Sequence, residues 1–246
     1  MELTVFPVRD TQTVADLFLH GVRTYPDAPA YRSADKTVSY RQVLEDVSRC
    51  AAWLDTQGQH ICRLQEQDPY LFAVGFFAAM ALGRCMELEM PAADAPLWVQ
   101  AALNQPHTLS LADLPAPDPD TCAVIVFSSG TTQCRKEVML SQRNLATNTV
   151  AGLQRLCYAP GNSFLHLVPF SHVFGLVCEL LAAFYSGCCV CFGASRMTFM
   201  QDLKLPETHQ KMQEGFVNVY KESGFFPEWS SPGHRNCMVG NNSASV

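Results

Sequence analysis

The segment that most constrains the fold is residues 124–141, where an apolar, β-branched run leads into hydroxyl side chains around one glycine. A single lysine, Lys136, follows, and a short apolar run then leads to Ser141, which opens a helical pattern. The pattern predicts a buried strand, a loop of phosphate size and a second strand. Hydroxyl and backbone N–H groups donate to phosphate oxygens, and Lys136 adds a positive charge.

Two other interpretations fit parts of this pattern. Ser, Thr and Gly are ordinary turn residues, so a plain polar hairpin turn between two core strands stays open. A Walker A loop is excluded, because counting from Gly130 places Arg135 at the second glycine and Glu137 at the magnesium-binding hydroxyl.

The segment resembles the signature loop of the AMP-forming, adenylate-forming ligases, which include acyl-CoA synthetases, luciferases and peptide-synthetase adenylation domains. The family pattern runs S/T-S/T-G-S/T-T-G-x-P-K-G-V-x-x-S/T-H-x-N. The positions in register are Ser128, Ser129, Gly130, Thr131, Thr132, Lys136, Val138, Ser141 and Asn144. The departures are Gln133 and Glu137 in place of glycines, Arg135 in place of proline and Gln142 in place of histidine.

A second motif follows a strand predicted over residues 163–168. Pro169, Phe170, His172 and Gly175 match the family pattern P-L/F-x-H-x-x-G. A lone histidine in an apolar run is otherwise a core residue bonded to backbone, but two family motifs in the right order and spacing favour the functional interpretation. The resemblance implies that His172 is catalytic and lies on the acyl-substrate and phosphate side of the site.

Local patterns predict the elements around these motifs. Helices are predicted after the capping boxes at Thr13 and Ser39, after Asp68 and over residues 141–157. Short strands are predicted over residues 30–33, 85–90 and 188–192. Residues 91–120 are rich in Ala, Pro and Asp and predict a linker or surface loop rather than a core element.

The fold class that the resemblance implies is α/β, an incomplete N-terminal domain of an adenylate-forming ligase with a sheet and flanking helices. Residues 1–195 form this partial AMP-binding domain. Residues 196–246 are dominated by Ser, Pro, Gly, His and Asn, show little apolar periodicity and do not resemble the family. They predict an atypical, disordered tail of the kind that a truncated or frame-altered end would produce.

Composition narrows the partners and the compartment. A net charge of −6 with no basic stripe excludes nucleic acid as a partner. The 11 cysteines and the absence of an N-terminal signal pattern predict a cytoplasmic protein with free thiols. Residues 176–192 are apolar except for Glu179. A membrane hairpin over residues 164–192, and with it a transmembrane segment, is not predicted, because the segment is interrupted by Pro169, His172, Gly175, Glu179 and Gly187. The spacing of Cys188, Cys189 and Cys191 is not that of a metal site.

The resemblance implies an enzyme that activates a carboxylic acid with ATP to an acyl-adenylate and then transfers the acyl group to coenzyme A. Ser128, Ser129, Gly130, Thr131, Thr132 and Lys136 would bind the nucleotide phosphates, and Mg²⁺ would share their charge. The apolar surroundings of His172 favour a fatty acid as the small-molecule substrate. The alternative is a truncated, non-catalytic remnant that acts as a nucleotide-binding or interaction module, because family segments for adenine and ribose are absent from the sequence.

Overall fold

A computed structural model describes residues 13–33, 35–58, 60–64, 68–88, 98–127, 137–153, 158–166 and 168–192. The helices are α1 (Val14–Thr24), α2 (Tyr40–Thr56), α3 (Pro69–Ala81), α4 (Trp98–Leu103), α5 (Gln142–Leu153), a π-helix (Gly175–Leu181) and α6 (Ala182–Tyr185). The strands are β1 (Pro29–Arg32), β2 (Thr37–Ser39), β3 (Ile61–Leu64), β4 (Cys85–Leu88), β5 (Cys122–Phe127), β6 (Glu137–Ser141), β7 (Ser163–Leu165) and β8 (Cys189–Cys191).

The strands form two sheets of four, in the orders β2-β1-β8-β7 and β3-β4-β5-β6. Parallel pairs join β1 to β8, β7 to β8, β3 to β4 and β4 to β5. Antiparallel pairs join β1 to β2 and β5 to β6. The predicted α/β class, a sheet with flanking helices, is confirmed, although the strands divide between two sheets.

The predicted helix starts are confirmed because they depend on local hydrogen bonds. Thr13 Oγ1 accepts a hydrogen bond from the Asp16 backbone N–H at 3.0 Å, and Asp16 returns one from its carboxylate. Ser39 and Gln42 form the same reciprocal pair at the start of α2. Such capping boxes satisfy N–H groups that have no partner within the helix.

Helix α3 is apolar on all sides and lies in the core, as its pattern predicts. Phe77 from α3 contacts Phe18 from α1 at 4.6 Å and Phe184 from α6 at 4.9 Å between ring centroids. Phe18 and Phe184 stack at 5.2 Å. Within the ranges described, no helix is long and apolar enough to cross a bilayer.

The prediction that residues 91–120 contain no core element is wrong. Helix α4 lies within this segment and buries Val99 and Ala102. Trp98 stacks on Trp53 of α2 at 5.5 Å and donates a hydrogen bond to the Arg63 carbonyl at 2.9 Å. These partners are distant in sequence, so composition alone did not indicate the burial. The predicted tail, residues 196–246, lies outside the described residues and stays a prediction.

Two buried tyrosines of the core should differ in how loss of the hydroxyl group changes the free energy of unfolding. The Tyr40 hydroxyl donates to the Cys188 carbonyl at 2.8 Å, whereas the buried Tyr31 hydroxyl has no partner among the described residues. We expect Tyr40→Phe to lower the free energy of unfolding by about 1–2 kcal/mol, because it removes the hydroxyl that donates to the buried Cys188 carbonyl. Tyr31→Phe should be neutral or stabilising. Urea unfolding measures both, and equal losses in the two variants would contradict this account.

Candidate functional site

The candidate phosphate loop closes a β-hairpin. Strands β5 and β6 pair from Val124 opposite Leu140 to Phe127 opposite Glu137, so residues 128–136 join two strand ends that lie side by side. The two predicted strands on either side of the loop are therefore confirmed. Ser128, Ser129, Gly130, Thr131, Thr132 and Lys136 lie outside the described residues, and their phosphate-binding roles stay predictions.

The other end of the hairpin is fixed to helix α5. Ser141 and Asn144 exchange hydrogen bonds at 3.0 and 3.2 Å, which caps the start of the helix. The Arg143 guanidinium binds both carboxylate oxygens of Asp120, at 2.8 and 3.0 Å, and so lowers the pKa of that exposed carboxyl. These contacts connect the residues before β5 to those after β6 and hold the two strands in register.

Gln142, which replaces the family histidine, is fully buried and joins three helices. Its Oε1 accepts a hydrogen bond from the Val14 backbone N–H at 2.9 Å, at the start of α1. Its Nε2 donates to the Met80 carbonyl at 3.1 Å, near the end of α3. Sequence reasoning missed this role, although the departure from the family pattern marked the position.

His172 is exposed, so it is not a core histidine. Its backbone N–H donates to the Pro169 carbonyl at 2.9 Å, and its carbonyl accepts from Leu176 at 2.9 Å. Its Nδ1 lies 3.2 Å from the Phe174 backbone N–H, which donates to it. Because Nδ1 accepts, the proton of a neutral His172 ring resides on Nε2, which can donate a hydrogen bond to a ligand oxygen.

Gly175 explains the glycine of the second motif. A Cβ at this position would lie 2.5 Å from the carbonyl oxygens of both Val168 and Pro169. These are backbone atoms, which cannot rotate away as a side chain does. Glycine therefore lets the π-helix begin against the turn that carries His172.

His166 and Glu179 form a half-buried pair that sequence reasoning missed. His166 Nδ1 lies 2.9 Å from Glu179 Oε2, and Glu179 also accepts a hydrogen bond from the Val168 backbone N–H. The His166 ring packs on Phe170 at 4.2 Å. The signal was Glu179 itself, the one charged side chain in an apolar run, since a charge in such surroundings requires a partner.

The two motifs lie on elements that pack together. Helix α5 follows β6 directly, and it packs against the π-helix that begins just after His172. The hairpin with the candidate phosphate loop and the His172 turn are thus linked through one helix–helix contact. The loop itself lies outside the described residues.

A cleft of about 580 Å³ lies elsewhere in the fold, between the β1–β2 turn and the start of α3. The Tyr70 hydroxyl donates to Asp46 at 2.5 Å, and Asp46 also binds Arg49 at 2.7 Å. Burial, together with the bond to Asp46, raises the pKa of Tyr70. Among the described residues that line this cleft there is neither His172 nor any residue of β5 or β6.

Comparison with solved structures defines the class of fold. The structure of VinN matches with a TM-score of 0.64 at 17% identity, over 82% of this chain and 63% of that one. An adenylation domain of a keto acid-selecting NRPS module matches with a TM-score of 0.65 at 19% identity, over 82% and 45% of the two chains. The fold is that of the N-terminal domain of adenylate-forming enzymes.

Sequence comparison defines the family. The model of the AMP-binding enzyme family matches residues 83–211, more than half of the chain. The chain therefore belongs to the AMP-binding enzyme family. A second model, for the glycosyl hydrolase family 92 catalytic domain, matches residues 196–246, which lie outside the described residues and form too small a part to show membership.

The relatives include CoA ligases, acyl-CoA synthetases and nonribosomal peptide synthetases, and the chain spans a fifth or less of the length of those it matches. Sulfoacetate–CoA ligase of Cupriavidus necator is 38% identical over 101 residues, which are 38% of this chain and 20% of that protein. The peroxisomal long chain acyl-CoA synthetase 6 of Arabidopsis thaliana is 23% identical over 121 residues, 46% of this chain and 17% of the relative.

Proposed function

We propose that this chain is the nucleotide- and acid-binding part of an AMP-forming ligase that activates a carboxylic acid with ATP and passes the acyl group to coenzyme A. The observation that carries the proposal is the β5–β6 hairpin, which joins the ends of the signature loop at paired residues Phe127 and Glu137. Membership of the AMP-binding enzyme family supports it.

The loop residues fit a triphosphate by their chemistry. Hydroxyls of Ser128, Ser129, Thr131 and Thr132 donate hydrogen bonds, Gly130 lets the backbone approach, and Lys136 supplies a positive charge. Mg²⁺ supplies further neutralisation of phosphate charge when bound. No cluster of three metal-ligating side chains occurs in the described part of the chain. We therefore propose that the phosphates, rather than a set of protein side chains, supply most of the Mg²⁺ ligands.

His172 is proposed to orient the acid. With its proton on Nε2, the neutral ring donates a hydrogen bond to an oxygen of the carboxylate or of the phosphate that it meets. The Glu179 contacts to His166 and Val168 hold the turn in place, so the ring is positioned before the substrate arrives. Preorganised donors of this kind stabilise charge that develops during transfer.

The proposed substrate is a fatty acid. Phe174, close to His172 in the same turn, is an exposed aromatic side chain, and its apolar surface suits an alkyl chain. The relatives named above include a long chain acyl-CoA synthetase and a sulfoacetate–CoA ligase. A panel of a long chain fatty acid, sulfoacetate and a keto acid, assayed for ATP-dependent pyrophosphate release, tests the class, and release with the fatty acid alone is the expected result.

The second candidate function is a non-catalytic nucleotide-binding module. It is favoured by Glu137, an exposed carboxylate directly beside Lys136 where the family pattern has glycine. This module would bind ATP without releasing pyrophosphate from any acid. Pyrophosphate release above the no-acid background would refute it, whereas ATP binding with no release would refute the ligase proposal for this chain.

The loop assignment predicts the effect of Lys136→Ala on ATP binding. We expect calorimetry with Mg²⁺ to show binding weakened about 10- to 100-fold, because a charged hydrogen bond to phosphate is lost. Lys36→Ala is the control, because Lys36 is an exposed lysine in the β1–β2 turn and contacts the Tyr70 ring. The two variants should differ, and equal affinities for ATP would place the phosphates away from the loop.

Glu137→Gln should have the opposite effect on ATP affinity, measured by the same calorimetry. Removing a carboxylate near the phosphates should tighten ATP binding about fivefold, the effect of one like charge at about 4 Å in water. High salt should reduce this gain, since it screens exposed charges. Unchanged affinity in Glu137→Gln together with a loss in Lys136→Ala would show that the Glu137 carboxylate points away from the bound nucleotide.

A further inference from the structure

Two thiols of the β3-β4-β5-β6 sheet are in contact. Cys85 begins β4 and Cys122 begins β5, and their Sγ atoms lie 3.2 Å apart. Both are free cysteines. The strands are hydrogen-bonded neighbours, and adjacent strands lie about 4.8 Å apart, so the backbone separation falls in the range that a disulfide spans.

An irregularity in β5 brings the two side chains to the same face. Met86 pairs with Val124, so in a regular strand Cys122 would share the face of Met86, opposite to Cys85. The pairing of β5 with β6 is irregular at this point. Cys122 lies opposite Ser141 and Val124 lies opposite Leu140, so two steps along β5 correspond to one step along β6. Such a bulge redirects the side chain beside it, and here it turns the Cys122 thiol toward Cys85.

We propose that Cys85 and Cys122 form a site of reversible oxidation that closes to an intramolecular disulfide on reaction with a peroxide. The Cys122 sulfur attacks one peroxide oxygen, the O–O bond breaks, and one water leaves with the formation of a sulfenic acid. The Cys85 sulfur then attacks the Cys122 sulfur and a second water leaves. The two thiols lose two protons and two electrons, which reduce the peroxide to two waters.

The surroundings of the two thiols set the order of these steps. Cys122 is partly exposed, whereas Cys85 is buried. Burial, with a contribution from the Cys122 thiol, raises the pKa of Cys85 to about 12, so this thiol stays protonated at neutral pH. The thiolate is the reactive form, and oxidation therefore begins at the accessible Cys122. Cys85 resolves the sulfenic acid because it is already in contact.

The test is disulfide mapping of the unaltered chain after treatment with hydrogen peroxide. Remaining thiols are alkylated, and the protein is digested without reduction by a protease that cleaves after acidic residues. Trypsin is unsuitable, because no Lys or Arg separates Cys85 from Cys122. We expect one dominant cross-linked peptide pair that joins Cys85 to Cys122, lighter by two hydrogens, and separated by dithiothreitol.

Matched variants separate this site from general thiol oxidation. Cys85→Ser and Cys122→Ser should each abolish the cross-link, and Cys85→Ser should leave a sulfenic acid at Cys122 that a dimedone probe labels. Cys178→Ser removes another partly exposed thiol and should cross-link as the unaltered chain does. Recovery of Cys85 and Cys122 as separately alkylated or separately over-oxidised residues in the unaltered chain would overturn the proposal, as would random cross-links among the cysteines.

Discussion

Gly175→Ala is expected to destabilise the chain by about 3 kcal/mol, near the upper end of the usual cost of inserting a methyl group into a packed region. The new Cβ would lie 2.5 Å from two backbone carbonyl oxygens, at Val168 and Pro169. Relief requires the turn to move, and that turn is held by the Glu179 contact to Val168 and by the His172 N–H bond to Pro169. Urea unfolding measures the loss.

Gly152→Ala is the matched control for this steric effect. Gly152 lies in helix α5, and a Cβ there would meet no atom of the described residues within 4 Å. Alanine favours a helix over glycine by up to about 1 kcal/mol, so this variant should be neutral or more stable. A Gly175→Ala variant as stable as Gly152→Ala would show that the π-helix does not pack against the Val168–Pro169 turn as described.

Gly175→Ala also tests the role proposed for His172. If His172 orients the acid, displacement of its turn should impair acid activation more than ATP binding, because the loop proposed to bind the phosphates joins the separate strands β5 and β6. Calorimetry with ATP and the pyrophosphate assay, both at a temperature where Gly175→Ala stays folded, compare the two effects. Equal losses in both assays would indicate general unfolding rather than a displaced histidine.

The features predicted from sequence are those with local causes. Capping boxes at Thr13 and Ser39, the buried α3 and the strands that flank the signature loop follow from residue spacing alone. Helix α4 was missed because its burial depends on Trp53, which lies in another helix. Strand β3 was missed because it has four residues and its exposed position at Ile61 is apolar, so the alternation of burial is not visible in the sequence.

The candidate site shows the same division between local and distant causes. The two motifs identified the loop and His172, and the glycine of the second motif has a steric reason in the fold. The His166–Glu179 pair depends on a π-helix, whose wider turn no sequence rule anticipated. The bulge that brings Cys122 to Cys85 is equally a product of strand pairing.

Gln142→Ala is the second variant with a large expected effect, a loss of about 3 kcal/mol in the free energy of unfolding. The change leaves the buried Val14 N–H without its partner, at a cost of about 1–3 kcal/mol, and removes one donor from the Met80 carbonyl, which keeps the Gly83 N–H at 3.2 Å. It also leaves a space where three helices meet. Gln100→Ala, an exposed glutamine in α4, should change stability by less than about 0.5 kcal/mol.

Gln142→His restores the residue that the family pattern has at this position and tests why glutamine replaced it. A neutral imidazole offers one donor and one acceptor, the same pair that Gln142 uses toward Met80 and Val14. We therefore expect Gln142→His to retain more stability than Gln142→Ala at pH 8. The advantage should shrink at pH 5, because burial disfavours the charged imidazole and the unfolded chain, whose histidine is free to bind a proton, is then favoured. Equal stability of the two variants at pH 8 would show that an imidazole does not replace the hydrogen bonds of Gln142 to Val14 and Met80.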